Sequence, residues 1–184
     1  MSTKYKATEE NVAYFITITT VGWIDIFTRL RQKYVIINAL DFCQKHKGLE
    51  IYAYCIMPSH IHVLCRAKDG DLLSNVMRDF KTYTSKKIVE TIIKYPESRR
   101  EWLLDYFKNA CEHLKRKQTY KVWQNGYHAE KVYSDKFIKQ KINYIHNNPV
   151  VEKIVANAED YVFSSARNYA KLDNELEITA VFIF

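Results

Sequence analysis

The sequence contains few residues that interrupt regular structure and no long apolar segment. Four glycines and three prolines among 184 residues argue against a disordered linker or a solenoid. The four cysteines form no C-x-x-C pair, and the chain is too long for a small disulfide scaffold, so reduced thiols are expected. The first residues lack an apolar signal core, and no apolar run is long enough to span a bilayer. We therefore expect a cytoplasmic protein that has no membrane partner.

The composition is that of an ordinary globular protein with a basic balance. Hydrophobic residues make up 47% and charged residues 27%, and the length favours one domain over residues 1–184. The formal charge of +7 fits a polyanionic partner without establishing one. Fourteen tyrosines could stack on nucleic-acid bases, although half-buried packing is their commoner use.

Apolar periodicity and turn residues predict a mixed α+β protein. Strands are predicted over 11–23, 49–57, 60–66 and 123–133, helices over 29–48, 71–92, 98–117 and 135–147, and a strand or turn with a short helical piece over 160–169. This order indicates a ferredoxin-like or RRM-like split β-α-β sandwich, with an antiparallel sheet and helices on one face. The helix within about 97–120 is interpreted as an insertion into that domain.

The stretch "CIMPSHIHVLC" places two histidines one residue apart in an apolar strand. Residues i and i+2 of a strand point to the same side, so His60 and His62 share a face, with Ile61 on the other. Two neutral imidazoles on one face can converge on a divalent ion. The alternative is a pair of histidines hydrogen-bonded at a strand edge, because His-x-His is short and common.

A zinc site is a second interpretation of this stretch. Cys55 and Cys65 flank the pair with the spacing C-x4-H-x-H-x2-C. The strand pattern, however, puts Cys65 on the face opposite both histidines. A closed tetrahedral site would therefore require a broken strand, which disfavours zinc.

The segment "YIHNNPV" supplies a candidate partner for the histidines. Helical spacing places Tyr144 and Asn148 on one face, four residues apart, and Ile142 and Ile145 belong to the adjacent apolar stripe. Pro149 disfavours helical geometry at the preceding residue, so we expect the helix to end there and the Asn148 amide to turn freely towards a metal.

The histidine pair and the tyrosine segment together resemble the motifs of the one-tyrosine HUH transposases. The sequence is most similar to the REP-associated tyrosine transposase branch, in which "NP" follows the tyrosine and asparagine replaces the glutamine of the insertion-sequence enzymes. The similar segments, spread from about residue 14 to residue 169, are "MPSHIHVL", "VWQNGYHAEKVYS", "YIHNNPV" and "SSARNY". Each motif alone is weak, whereas the ordered set is specific.

The resemblance implies a metal-dependent single-stranded DNA endonuclease and strand transferase that acts on hairpin or palindromic repeat ends. It implies that His60, His62 and Asn148 hold Mg²⁺ or Mn²⁺ and that Tyr144 attacks phosphorus, which gives a 5′-phosphotyrosine and a free 3′-hydroxyl. A phenol is a weak nucleophile at neutral pH, and a nearby cation would activate it. Two imidazoles suit Mn²⁺ better than Mg²⁺, which prefers oxygen ligands.

Other residues are candidates for DNA contact or for ordinary surface roles. The second predicted helix and the "WQNGYH" segment offer six candidate DNA-binding residues: Arg78, Lys81, Tyr83, Lys86, Lys87 and His128. A solvated helix face is the alternative for the first five. Trp123 is interpreted as a packing residue and "LKRK" at 114–117 as a solvated basic end. His46, His113 and His146 are interpreted as ordinary surface or helix residues.

Three questions stay open at this point. A non-catalytic module that binds single-stranded nucleic acid, such as a domesticated transposase, would share this fold. A metal-dependent phosphodiesterase that uses activated water would leave Tyr144 idle. The extra helix could shape DNA specificity or a homodimer contact, and Tyr144 could serve its own histidine pair or that of a partner chain.

Overall fold

The computed structural model describes residue 7 and residues 9–68, 72–112 and 118–181. Its strands form one antiparallel sheet in the order β2-β3-β1-β4. The strands are β1 (Tyr14–Thr19), β2 (Leu49–Ile56), β3 (His60–Ala67) and β4 (His128–Lys131). The helices are α1 (Leu30–His46), α2 (Leu73–Lys94), α3 (Arg100–Asn109), α4 (Asp135–Val151) and α5 (Ala166–Tyr169). The predicted α+β class and antiparallel sheet are therefore confirmed.

The register of the central strands sorts their side chains onto two faces. Thr17 of β1 lies opposite His62 of β3 and opposite His128 of β4, so these side chains share one face, which we call the histidine face. The alternate residues of β1 and β3 form the other face, where Ile16 and Ile61 are fully buried. Alternation with period two thus separates a polar row from an aliphatic core.

Helices α1 and α2 cover the aliphatic face. Trp123 pairs with Thr20 at the end of β1, and its indole N–H donates to Thr84 of α2 over 3.0 Å. Trp123 also stacks on Phe27, with ring centroids 5.6 Å apart, and is 4% exposed. The interpretation of Trp123 as a packing residue is therefore confirmed.

Helix α4 packs on the histidine face, so the prediction that all helices lie on one face was wrong in this respect. The Tyr144 ring meets the rings of Phe15 and His62. Ile142 and Ile145 are buried on the inner side of the helix. An apolar stripe predicts that a helix docks on a sheet, but it carries no information about which face is available.

The end of α4 also differs from the prediction. The helix continues through Pro149 and stops at Val151, with Glu152 as its C-cap residue. Pro149 removes one backbone donor and lies only two residues from the end, and its own ring is buried. Because the Asn148 carbonyl accepts from the Glu152 N–H over 3.0 Å, the backbone of Asn148 is helical, and its side chain does not project from a helix end as predicted.

Helix α3 occupies the middle of the predicted insertion. Glu97, just before it, accepts two hydrogen bonds from Arg29 at the start of α1, over 3.0 and 3.3 Å. The Glu97 side chain is 5% exposed, so this ion pair ties the beginning of α3 to α1. Residues 113–117, which include His113 and the basic "LKRK" end, lie outside the described residues.

Candidate active site

His60 and His62 point their Nε2 atoms at each other across 3.1 Å. Both lie on β3 with Ile61 between them, and their rings are 4.7 Å apart with an interplanar angle of 75°. His62 is 3% exposed and stacks on Phe15, at a centroid distance of 5.4 Å. The predicted placement of the two imidazoles on one face is thus what the structure contains.

Each imidazole has a hydroxyl partner on its other nitrogen. Nδ1 of His62 is hydrogen-bonded to Thr17 Oγ1 over 3.0 Å, and Nδ1 of His60 to Ser59 Oγ over 3.2 Å. If both Nδ1 atoms donate, both Nε2 atoms present lone pairs to the same point. Such outer partners fix the tautomer and ring orientation of histidines that bind metals.

Burial keeps both rings neutral. Burial lowers the pKa of His62 to about 3, and the electrostatic interactions with His60 and with the Lys141 ammonium act in the same direction. Burial also lowers the pKa of His60, against which the Glu152 carboxylate acts. Neutral imidazole is the form that binds a cation, so the pair is in its ligand form at neutral pH.

Helix α4 brings Tyr144 and Asn148 to the same point. The Tyr144 ring lies 5.3 Å from the His62 ring, centroid to centroid, and Asn148 Nδ2 is 3.2 Å from His62 Nε2. Tyr144 is 50% exposed, so its ring is accessible to a polymer in solvent. Within this single chain, the Tyr144 ring lies beside the chain's own histidine pair.

The donor set fits a small divalent cation. Two ligands at about 2.1 Å from an ion, at roughly right angles, are about 3 Å apart, which matches the separation of the two Nε2 atoms. Turning the Asn148 amide by 180° places its Oδ1 where Nδ2 now lies. Among the described residues, no three His, Cys, Asp or Glu side chains form a metal-binding group, so this set needs the amide, water or substrate oxygens.

Cys65, a candidate ligand in the zinc interpretation, lies on the opposite face from the histidines, as predicted. In the sheet it pairs with Tyr14 and not with Thr17.

A cationic residue borders the site. Lys141 Nζ lies over the Phe15 ring at 4.3 Å and is paired with Glu130 Oε2 at 2.6 Å. His128 Nε2 is 3.0 Å from Glu130 Oε1. His128 is therefore on the histidine face, one strand beyond Thr17, whereas sequence reasoning missed Lys141.

The candidate DNA-binding residues of α2 lie on the opposite side of the sheet from the histidine face. Lys81 is turned inward, where its ammonium donates to the carbonyls of Gln124 and Gly126, and burial lowers its pKa to about 8. Arg78 binds Asp79, and Lys87 binds Glu90. Lys86 is 3.9 Å from Glu90, and Tyr83 is 50% exposed. Their role in DNA binding stays a prediction, and Lys81 is the least available of them.

His146 is not the ordinary residue that its sequence context indicated. Its Nε2 is 2.8 Å from Ser165 Oγ, which also accepts from the Tyr54 N–H over 2.9 Å. Because Tyr54 lies in β2, Ser165 links α4 to the sheet. Burial lowers the pKa of His146 to about 4. Only the fold reveals this contact, because Ser165 is 19 residues away.

We expect His146→Gln to weaken the pH dependence of stability. A histidine with a folded pKa of about 4 and an unfolded value near 6.5 stabilises the fold fully above the unfolded value, and this contribution is lost as pH falls towards 4. Between pH 7 and pH 5 the native chain should therefore lose about 2 kcal/mol more unfolding free energy than the variant. Urea unfolding in EDTA measures both; equal losses would contradict the assignment.

None of the helices in the described ranges is both long and apolar enough to cross a membrane. This agrees with the absence of long apolar runs in the sequence.

Comparison with known proteins adds three findings. A family model described as "Transposase IS200 like" matches residues 11–113, a segment that includes both histidines and ends before α4. A Haemophilus influenzae protein that carries the name REP-associated tyrosine transposase is 24% identical over 132 residues, 70% of this chain and 65% of its own length. The match thus spans less than two thirds of that relative's length.

The third finding concerns the fold. A solved structure of a REP-associated tyrosine transposase bound to a REP hairpin is similar over 100% of this chain and 95% of its own, with a TM-score of 0.62 and 20% identity. The resemblance that the ordered motifs predicted is confirmed. Since the family model matches more than half of its residues, the chain belongs to the IS200-like transposase family.

Proposed function

We propose that this chain is a metal-dependent single-stranded DNA endonuclease and strand transferase whose nucleophile is Tyr144. The observation that carries the proposal is the convergence of His60, His62 and Asn148 on one point beside the Tyr144 ring. These residues come from two elements that are more than 80 positions apart in sequence. Transposase family membership supports DNA processing in general, and the geometry favours this chemistry.

The residues of the chain have separate roles in the proposed reaction. The Tyr144 oxygen attacks the scissile phosphorus, a bond from that oxygen to phosphorus forms, and the bond from phosphorus to the 3′-oxygen breaks. The phenolic proton passes to solvent and the departing 3′-oxygen takes one up. The same steps in reverse, with a different 3′-hydroxyl, join the new strand without ATP, because the phosphotyrosine retains the energy of the phosphodiester.

The cation would be held by His60, His62 and the Asn148 amide oxygen. When bound, it polarises a non-bridging phosphate oxygen and stabilises the charge that develops there. The two imidazoles favour Mn²⁺, whereas Mg²⁺ would need several water or substrate oxygens. Lys141 lies at the same edge, where its ammonium is paired with the Glu130 carboxylate.

The proposed substrate is single-stranded DNA beside a hairpin or palindromic repeat end. The fold is similar to that of a protein solved with a REP hairpin, which supports this choice. A non-catalytic module that binds single-stranded nucleic acid is the second candidate, favoured only if the site does not react.

A hairpin oligonucleotide with single-stranded flanks, labelled at either end, tests the proposal. With Mn²⁺ we expect a covalent adduct on a denaturing gel that carries the 3′ label only, because the protein would be joined to the 5′-phosphate. The 5′-labelled piece should be released with a free 3′-hydroxyl, and EDTA should abolish both products. Cleavage without an adduct would indicate a water nucleophile, and binding without cleavage would indicate the binding module.

A further inference from the structure

Trp23 is an exposed tryptophan held in an unfavourable backbone conformation. Its φ is +57°, a region that bulky residues rarely adopt, and its side chain is 60% exposed. Gly22 before it also has a positive φ, of +63°, so the chain turns sharply just after β1. Burial of the indole does not explain this conformation, because most of the ring faces solvent.

The surrounding contacts impose this turn. The Trp23 N–H donates to the Thr20 carbonyl over 3.1 Å. The Thr20 hydroxyl lies 2.8 Å from the Ile24 carbonyl and 2.9 Å from the Ser59 carbonyl, which anchors the turn on both sides. A strained residue fixed in this way is typical of positions at functional sites.

The Trp23 ring lies at the edge of the candidate metal site. Its centroid is 5.7 Å from that of His60, with an interplanar angle of 71°. His60 is one of the two proposed imidazole ligands, so a polymer whose phosphate reached the metal would pass close to Trp23. The indole is the one large exposed ring among the described residues that contacts His60.

Two further exposed rings continue from this turn along α3. The Tyr106 hydroxyl occupies the space where a Cβ on residue 22 would lie, so the ring contacts the turn directly. Tyr106 is 38% exposed and Trp102 is 51% exposed, and their ring centroids are 5.8 Å apart. Trp23, Tyr106 and Trp102 form what we call the aromatic track, which leads from His60 onto the extra helix.

We propose that Trp23 stacks on an unpaired base next to the scissile phosphate and that the aromatic track guides the unpaired nucleotides beyond it. This inference rests on the proposed function, and it gives α3 a role in holding substrate. Separate exposed rings suit successive bases, because every base offers an apolar face whatever its sequence. The continuity of the track with the metal site favours a nucleic-acid strand over a protein partner.

Trp23→Gly is the sharpest variant, because glycine adopts a positive φ without strain. We expect unchanged or higher thermal stability together with a Km for single-stranded hairpin DNA that rises about tenfold or more, as the loss of one stacked base predicts. The maximal rate of adduct formation should change little, and Trp23→Phe should restore most of the affinity. Phe42→Ala, which removes a 52% exposed ring on α1, is the matched control and should leave Km unchanged.

An abasic scan then locates the stacked base. Removing bases one at a time from the substrate should weaken its binding to the native chain. At one position, next to the cleavage point, removal of the base should not weaken binding to Trp23→Gly any further. The inference is wrong if, at every position, the affinity lost on removing the base adds to the affinity lost in Trp23→Gly. An unchanged Km would also contradict it. Loss of self-association in sedimentation, with DNA binding intact, would overturn it in favour of a protein contact.

The two proposals fail differently. Absence of an adduct with the native chain would refute the proposed function, whatever Trp23 does. A native chain that forms the adduct, beside a Trp23→Gly variant with the same Km and the same abasic profile, would refute the aromatic track alone.

Discussion

Tyr144→Phe is expected to form no covalent DNA adduct and to lose strand cleavage by at least about 1000-fold. The substitution removes the attacking oxygen but keeps the ring, which packs against Phe15 and His62. Loss of a nucleophile removes the covalent route entirely, and the residual rate reports whatever the rest of the site can do. A gel assay with Mn²⁺ and 3′-labelled hairpin DNA measures both quantities.

Binding and folding should be retained in this variant. Since Tyr144 is 50% exposed, its hydroxyl contributes little to the core, and the melting temperature should stay within about 2 °C. Tyr133→Phe is the matched control, because Tyr133 is a 76% exposed tyrosine just before the same helix, and it should react like the native chain. Cleavage that persists in Tyr144→Phe would instead support attack by water.

His62→Gln is expected to abolish the response to metal and to reduce adduct formation by at least about 100-fold. His62 lies between the other members of the site, with Thr17 on Nδ1 and both His60 and Asn148 on Nε2. Removing the imidazole therefore removes the central member of the proposed ligand set, together with the contacts that it makes to its neighbours. Loss of a residue that binds the metal directly is more costly than loss of the residues that orient it, whose mutation already costs about 10–100-fold.

Thermal unfolding gives a readout that does not depend on catalysis. A ligand that binds only the folded state raises its stability according to concentration and affinity, so Mn²⁺ should raise the melting temperature of the native chain and not that of His62→Gln. His46→Gln, at the exposed end of α1, should respond like the native chain. Equal stabilisation of all three proteins would mean that the metal binds elsewhere.

Local patterns in the sequence were sufficient for part of this site. The i, i+2 spacing placed His60 and His62 on one face, and the i, i+4 spacing placed Tyr144 and Asn148 on another. Both inferences depend only on backbone periodicity, which short segments carry within themselves.

The remainder depends on how distant segments meet. Nothing local indicates that Lys81 turns inward to two carbonyls, that His146 reaches Ser165, or that α4 lies on the face opposite α1. Pro149 misled the sequence reasoning because a proline near a helix end has only a small effect that packing can override. The sequence reasoning missed Trp23, because its backbone strain arises from the contacts of the surrounding turn and cannot be inferred from its residue type.

Helix α4 carries the proposed nucleophile, Tyr144, and one proposed ligand, Asn148, one turn apart, with a rise of about 6 Å between them. Because Tyr144 and Asn148 lie on the same helix, they cannot shift independently. A displacement of α4 by one residue corresponds to a rotation of about 100°, which would move both side chains away from the imidazoles. Such a displacement would leave His60 and His62 on β3 but would remove the proposed nucleophile and the third proposed ligand together. An inhibitor that binds between Ser165 and the end of α4 and displaces this helix would therefore block both the proposed cleavage and the proposed strand transfer.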